Sequence, residues 1–142
     1  MDLSKSYDFF QPEKHTDRIH IIGCGSVGST VAENLARSGV TKMTLWDFDT
    51  VEPKNIANQM FIQADVGKPK VEALTRILCD INPDIKDDLR VMPEGWKGQK
   101  LSGYVFLCVD NIDLRREIVE KHFDNIFVKA MFDFRTRLTD AQ

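Results

Sequence analysis

Residues 23–29 read GCGSVGS, and residues 45–59 read LWDFDTVEPKNIANQ. The first stretch decides the fold. It closes RIHIIG (18–23), a short β-rich run ended by glycine, which predicts a strand. It opens SVGSTVAENLARSG (26–39), where Val27, Val31 and Leu35 recur at helical spacing before Gly39 closes the helix. Strand, glycine turn and helix in that order suit a phosphate loop. Gly23 permits the tight turn, Gly25 lets a phosphate approach the backbone, and Gly28 lets the helix pack on the strand. The helix N-terminus then offers free N–H groups and a positive dipole end to an anion. Asp47 ends the next strand, KMTLWDFD (42–49), where a carboxylate can accept both hydroxyls of a ribose. Asp49 reads as a loop-organising acid. Up to this point an NAD-binding module explains every residue equally well.

Outward from these stretches, the chain alternates strands and helices. VEPKNIANQMFIQADVGKP (51–69) is a long connection, and such loops inside compact domains are usually functional. Lys70 to Ile81 reads as an amphipathic helix with NPD (82–84) as its stop. DLRVM (88–92) and YVFLCVDN (104–111) read as strands, LRREIVEKHF (114–123) as a helix and NIFVKAMF (125–132) as a last strand. The order predicts an α/β fold: a Rossmann-like, doubly wound, mostly parallel sheet with helices on both faces. Residues 1–17 read as an N-terminal arm that packs on the body or on a partner, and 18–142 as one nucleotide-binding domain. FDFRTRLTDAQ (132–142) begins a segment that nothing finishes, so the domain is expected to continue in a longer protein.

Composition narrows the classes. With 142 residues, 42% hydrophobic, 29% charged and a net charge of −3, the chain reads as an ordinary soluble domain. That charge gives no electrostatic reason to expect nucleic acid or anionic membrane as a partner. No apolar run reaches membrane-spanning length and no basic leader precedes an apolar stretch, so the expected address is the cytoplasm. Cys24, Cys79 and Cys108 form no CxxC, so neither structural zinc nor a disulfide framework is expected. His15, His20 and His122 are scattered, and Trp46 and Trp96 read as core.

The segment DFDTVEPKNIANQ, with DVGKPKVEA (65–73) and FLCVDN (106–111) after it, resembles the ThiF/MoeB/HesA family, the adenylating domains related to ubiquitin-activating enzymes. The matching positions are Gly23, Gly25, Gly28 and Ser29; Asp47, Asp49, Val51, Asn55 and Gln59; Gly67 and Lys70; and Cys108, Asp110 and Asn111. The resemblance runs from about residue 18 to 135. It implies binding of ATP and Mg²⁺, attack by a carboxylate on the α-phosphate, an acyl-adenylate product and release of pyrophosphate. The implied partner is the C-terminus of a ubiquitin-like or sulfur-carrier protein.

Charge and position assign roles that agree. Lys70 suits the α- and β-phosphate oxygens as charge builds there, against the plainer reading of a solvated first-turn lysine. Asp110, at the end of a parallel strand, is placed to hold Mg²⁺, or else to cap the following helix, a job Asn111 could take instead. Asn55 either reaches a phosphate or shapes its loop. Ser29 and Asn111 complete the expected ATP contacts.

Two departures bear on activity. Asn58 stands where the family usually has arginine, and residues 1–17 contain no arginine to pass to a neighbouring phosphate. Arginine fingers elsewhere are worth roughly 10³–10⁵ in rate. Either Lys54, Lys68 or Arg115 compensates, or the chemistry is slow, or the chain only binds. The alternative function is a non-catalytic NAD- or ADP-binding sensor. A homodimer is expected, because the final strand leaves an open sheet edge.

Overall fold

In the computed structural model, which describes residues 17–134, the run IHII becomes β1 (Ile19–Ile22), buried at all four positions. It sits at the middle of a five-stranded sheet, with β2 (Met43–Trp46) on one side and β4 (Gly103–Leu107) on the other. β3 (Arg90–Met92) and β5 (Val128–Asp133) form the edges, giving the order β3-β2-β1-β4-β5. Every pairing is parallel. The chain therefore runs outward from β1 in one direction and then in the other, and the order reverses between β1 and β4.

Alternate residues of these strands serve two separate cores. Ile19, Ile21, Met43, Leu45 and Phe106 pack with Val31 and Leu35 of α1 (Ser26–Arg37) and with Leu74 and Leu78 of α2 (Lys70–Ile81). The intervening Ile22, Trp46, Val105 and Leu107 pack with Trp96, Leu101 and Ile118, the last from α3 (Ile112–His122). Helices thus cover both faces, which is why strands in such a sheet read as unbroken apolar runs.

Local chemistry sets the element ends. Gly39, at φ +95°, turns the chain out of α1. Asn82 ends α2 and accepts from the Asp84 N–H, starting a 3₁₀ turn over Pro83–Asp87 where the sequence suggests only a stop. The long connection is also organised, with 3₁₀ turns at Pro53–Ile56 and Gln63–Asp65 and a bridge between Thr50 and Pro69. α3 starts two residues before the expected Leu114, because the Asn111 side chain caps it. β5 starts three residues after the expected Asn125, whose own side chain makes a turn by accepting from the Phe127 N–H. The arm before Asp17 and the tail after Phe134 lie outside the described residues. No helix among those described is long and apolar enough to cross a membrane.

Two histidines are core residues. His122 accepts from the Leu101 N–H at 2.9 Å through Nε2. His20 accepts from the Trp46 indole N–H at 3.0 Å through Nδ1. Burial, and after it the Arg18 guanidinium, holds the His20 imidazole down at about 4. An unfolded histidine titrates near 6.5, so the unfolded chain takes up this proton first as pH falls. The stability carried by the neutral ring is complete above about pH 6.5 and is lost as pH falls toward 4, by about 3 kcal/mol at the end of that window. Urea unfolding at pH 7.5 and pH 4.5 should show the loss. The His20→Gln variant, whose amide oxygen can still accept from Trp46, should show a flatter dependence.

Candidate nucleotide cleft

The C-terminal ends of β1, β2 and β4 open into a cleft of about 440 Å³, at the point where strand order reverses. Open parallel sheets bind ligands there. The glycine turn forms its floor. Gly23 adopts φ +100°, and a Cβ at this position would stand 2.8 Å from the Cys108 carbonyl. A Cβ at Gly28 would collide with the Gly23 carbonyl oxygen, so glycine here is what lets α1 seat against the strand. Gly25 differs: a Cβ would meet nothing nearer than Gln59 Nε2 at 3.7 Å, and the residue lines the cleft. α1 begins with no side-chain cap and no acid in its first turn. Its leading N–H donors are left for an anion.

Asp47 lines the cleft from the end of β2. Its Oδ2 accepts from the Cys24 N–H at 2.7 Å and its Oδ1 from the Asp49 N–H at 2.8 Å. A carboxylate offers about four acceptor sites, so each oxygen keeps one for a ligand hydroxyl. Burial raises the Asp47 carboxyl above its usual range, and the two backbone N–H groups act against that rise.

Lys70 is the first residue of α2 and is buried, yet it lines the cleft. Its Nζ is 4.0 Å from Asp49 Oδ2, a long ion pair, and its backbone N–H donates to the Asp49 carbonyl. Asp49 thus organises the loop around the lysine. Asp110 lines the same cleft and is exposed. Asn111 takes the capping job, accepting from the Leu114 N–H at 3.1 Å, so helix capping does not occupy Asp110.

Three expected ligand residues, Gly28, Ser29 and Asn55, lie outside the lining, Gly28 because it packs against the Gly23 carbonyl. Ser29 is buried, with its hydroxyl donated back to the Gly25 carbonyl at 2.6 Å. Asn55 is buried, and its amide oxygen accepts from the Glu52 N–H at 2.8 Å, which shapes the 3₁₀ turn. Asn58 and Gln59 do line the cleft. The Gln59 amide oxygen is buried without a hydrogen-bond partner among the described residues.

None of the three basic residues considered as compensation for Asn58 lines the cleft. Lys54 pairs with Glu52 at 3.3 Å, Lys68 is exposed elsewhere, and buried Arg115 is tied to Asp133 at 2.9 Å. Among the described residues, the lining carries three carboxylates (Asp47, Asp49, Asp110) and one cation, Lys70. Cys24 and Cys108 are inert fillers: burial raises both thiols, Cys108 to about 12. Phe48, Gly95 and Trp96 complete one wall. The connection between β3 and β4 that supplies Gly95 and Trp96 carries no recognisable motif, and only its glycines, Gly95 at φ +77° and Gly98, hint at a built loop.

Comparison with known proteins agrees with this geometry. The ThiF family profile matches residues 8–126, and the chain belongs to that family. It is 30% identical over 134 residues to ubiquitin-like modifier-activating enzyme 5 of Drosophila persimilis, covering 83% of this chain and 34% of that protein. It is 34% identical over 125 residues to the molybdopterin-synthase adenylyltransferase of Salmonella typhimurium, covering 82% and 49%. Among solved structures, TcdA (CsdL) superposes with a TM-score of 0.72 at 25% identity, covering 82% of this chain and 48% of that one. E. coli MccB with ATP superposes with a TM-score of 0.68 at 25% identity, covering 75% and 33%. The chain thus spans about a third to a half of these relatives.

The glycines separate folding from binding. Gly28→Ala should destabilise by at least the roughly 1–3 kcal/mol typical of overpacking, because the methyl meets backbone. Gly25→Ala, whose methyl would meet nothing nearer than Gln59 Nε2 at 3.7 Å, should destabilise less than Gly28→Ala while weakening nucleotide binding. Thermal melts with and without nucleotide distinguish the two.

Proposed function

We propose that this chain binds ATP with Mg²⁺ in the cleft and activates a carboxylate by adenylation. The substrate in this reading is the C-terminus of a ubiquitin-like or sulfur-carrier protein. The observation that carries it is Lys70: a buried ammonium facing the same cleft as the uncapped helix N-terminus and Asp110, with only a 4.0 Å contact to Asp49. Dinucleotide binding gives no reason to bury a lysine there. The names of the relatives, an activating enzyme for a ubiquitin-like modifier and an adenylyltransferase, support the reaction class and the kind of partner.

The roles follow from position. The glycine turn and the start of α1 receive the phosphates, and Asp47 holds the ribose through the acceptor sites its backbone contacts leave open. The incoming carboxylate oxygen bonds to the α-phosphorus, the bond from that phosphorus to the bridging oxygen breaks, and pyrophosphate leaves with the electron pair. Lys70 stabilises the charge that builds on the phosphate oxygens. Asp110 is the residue that would hold Mg²⁺. The described residues assemble no group of three metal-ligating side chains, which suits an ion that takes most of its ligands from phosphate and water. When bound, Mg²⁺ neutralises charge on the phosphates and the leaving group. The lining makes that neutralisation necessary, since three carboxylates face a polyanion with one lysine. A homodimer fits this reading, because β5 ends the sheet with an outer edge that no described strand pairs.

ATP with Mg²⁺ should raise the melting temperature clearly more than NAD does, and the shift should shrink in Lys70→Ala and Asp110→Ala, with ATP affinity falling roughly tenfold or more. ATP–pyrophosphate exchange with candidate carrier proteins then reads the chemistry. Better stabilisation by NAD, or indifference to both substitutions, would sink the adenylation reading in favour of a nucleotide sensor. Asn58→Arg should strengthen ATP binding or speed exchange by roughly ten- to a hundred-fold, the value of a charge-assisted hydrogen bond of about 1.5–3 kcal/mol. Weaker binding would mean that Asn58 makes contacts of its own.

A further inference from the structure

Gln59 lines the cleft, and the fold makes no use of its amide. Its Oε1 is buried without a hydrogen-bond partner among the described residues, and none of those residues accepts from its Nε2. Nε2 stands 3.7 Å from the place a Cβ on Gly25 would take. The acceptor end of the amide is therefore sealed and its donor end is turned to the glycine turn. A buried oxygen left unpaired costs stability, so this orientation asks for a return elsewhere.

The amide is delivered by a firm segment. The Gln59 backbone N–H donates to the Asn55 carbonyl at 2.8 Å, and the Asn55 side chain holds its own turn through the Glu52 N–H. Val51 before this turn and Phe61 after it are both in the core. Gln59 is thus pinned from two sides, with its side chain over Gly25. Neutrality suits it to that place. Asp47, Asp49 and Asp110 line the same cleft, and a guanidinium or ammonium beside Gly25 would be drawn onto one of them. An amide keeps its two N–H donors for whatever arrives.

Given the nucleotide reading of the cleft, we infer that Gln59 is a ligand of the α-phosphate, donating from Nε2 to the phosphate oxygen that rests on Gly25. The position follows from Asp47, whose carboxylate binds the Cys24 N–H one residue before Gly25. With a ribose on Asp47, the first phosphate falls at Gly25, in front of the uncapped start of α1. Gln59 then helps to tell a nucleotide from its nucleoside and has no part in holding base or sugar. Because the α-phosphorus is the atom attacked in the proposed reaction, the same donor meets the charge that gathers on its oxygens.

Calorimetric titration of the whole chain with adenosine, AMP and ATP–Mg²⁺ tests this. Gln59→Leu should weaken AMP and ATP about tenfold, the value of one good hydrogen bond, and leave adenosine within about twofold. Gln59→Glu removes the donors and sets a charge against the phosphate, so it should weaken both nucleotides further. It keeps the length and shape of the side chain and carries the comparison if Gln59→Leu fails to fold. AMP affinity equal to the parent's in these variants would overturn the inference. Equal weakening of adenosine and AMP would do the same, as the mark of a purely structural side chain. A parent that binds none of the three would instead overturn the nucleotide reading itself.

Discussion

The structure depends on one close approach: the Gly23 carbonyl oxygen occupies the space that a Cβ of residue 28 would need. Because residue 28 has none, α1 begins directly over the ends of β1 and β4 rather than a few ångströms away. Everything in the cleft is referred to that seat. The open donors of α1 point into the cleft, Gly25 presents bare backbone beside Gln59, and Cys108 packs beneath as filler. The Cys24 N–H, fixed by the same turn, reaches the Asp47 carboxylate and so ties the end of β2 to the glycine turn.

Electrostatics then sorts what can enter. A lining with three carboxylates and a single ammonium repels a bare triphosphate more than it attracts one, and the low dielectric around buried Lys70 strengthens both effects. An anion is welcome here only with its own counter-charge. Buried Arg115 is engaged by β5: its guanidinium holds Asp133 and reaches the Phe134 carbonyl at 3.4 Å. Arginine at that position stabilises the end of the sheet, whereas the residue that meets the cleft, Asn58, is neutral.

Much of this was legible in the sequence because single residues carried geometry. The glycines gave the turn, the Lys70–Ile81 periodicity gave α2 at its observed bounds, and the apolar runs gave the parallel sheet. Asp47, Lys70 and Asp110 come together in one cleft across more than sixty residues of chain because each stands at an element end on the same side of the sheet. Where the reading stopped short, side chains had more than one use. Asn55 and Ser29 are polar residues in a motif, and the pattern cannot say whether such a group faces a ligand or its own backbone; both turn to backbone. Strand starts near residue 125 shifted because an asparagine made a local turn that competes with extension. The Gly95–Trp96 wall was invisible, since its position depends on Trp96 entering the second core and donating its indole N–H to the Gln99 carbonyl.

The His20–Trp46 hydrogen bond has a consequence for how the strands find their places. β1 and β2 are apolar on both faces, so sliding one along the other would expose no charge and bury no new one. Hydrophobicity alone leaves their alignment underdetermined. The bond runs diagonally, from the partner of Thr44 to the partner of Ile22, in the observed alignment. A slip by one residue sends the indole to the opposite face. A slip by two that carries Trp46 away from His20 keeps the face but strands a buried N–H and a ring nitrogen, at about 1–3 kcal/mol for each group left unpaired. The Arg18 guanidinium, donating to the Met43 carbonyl and the Thr44 hydroxyl, marks the same alignment at the other end of the pair.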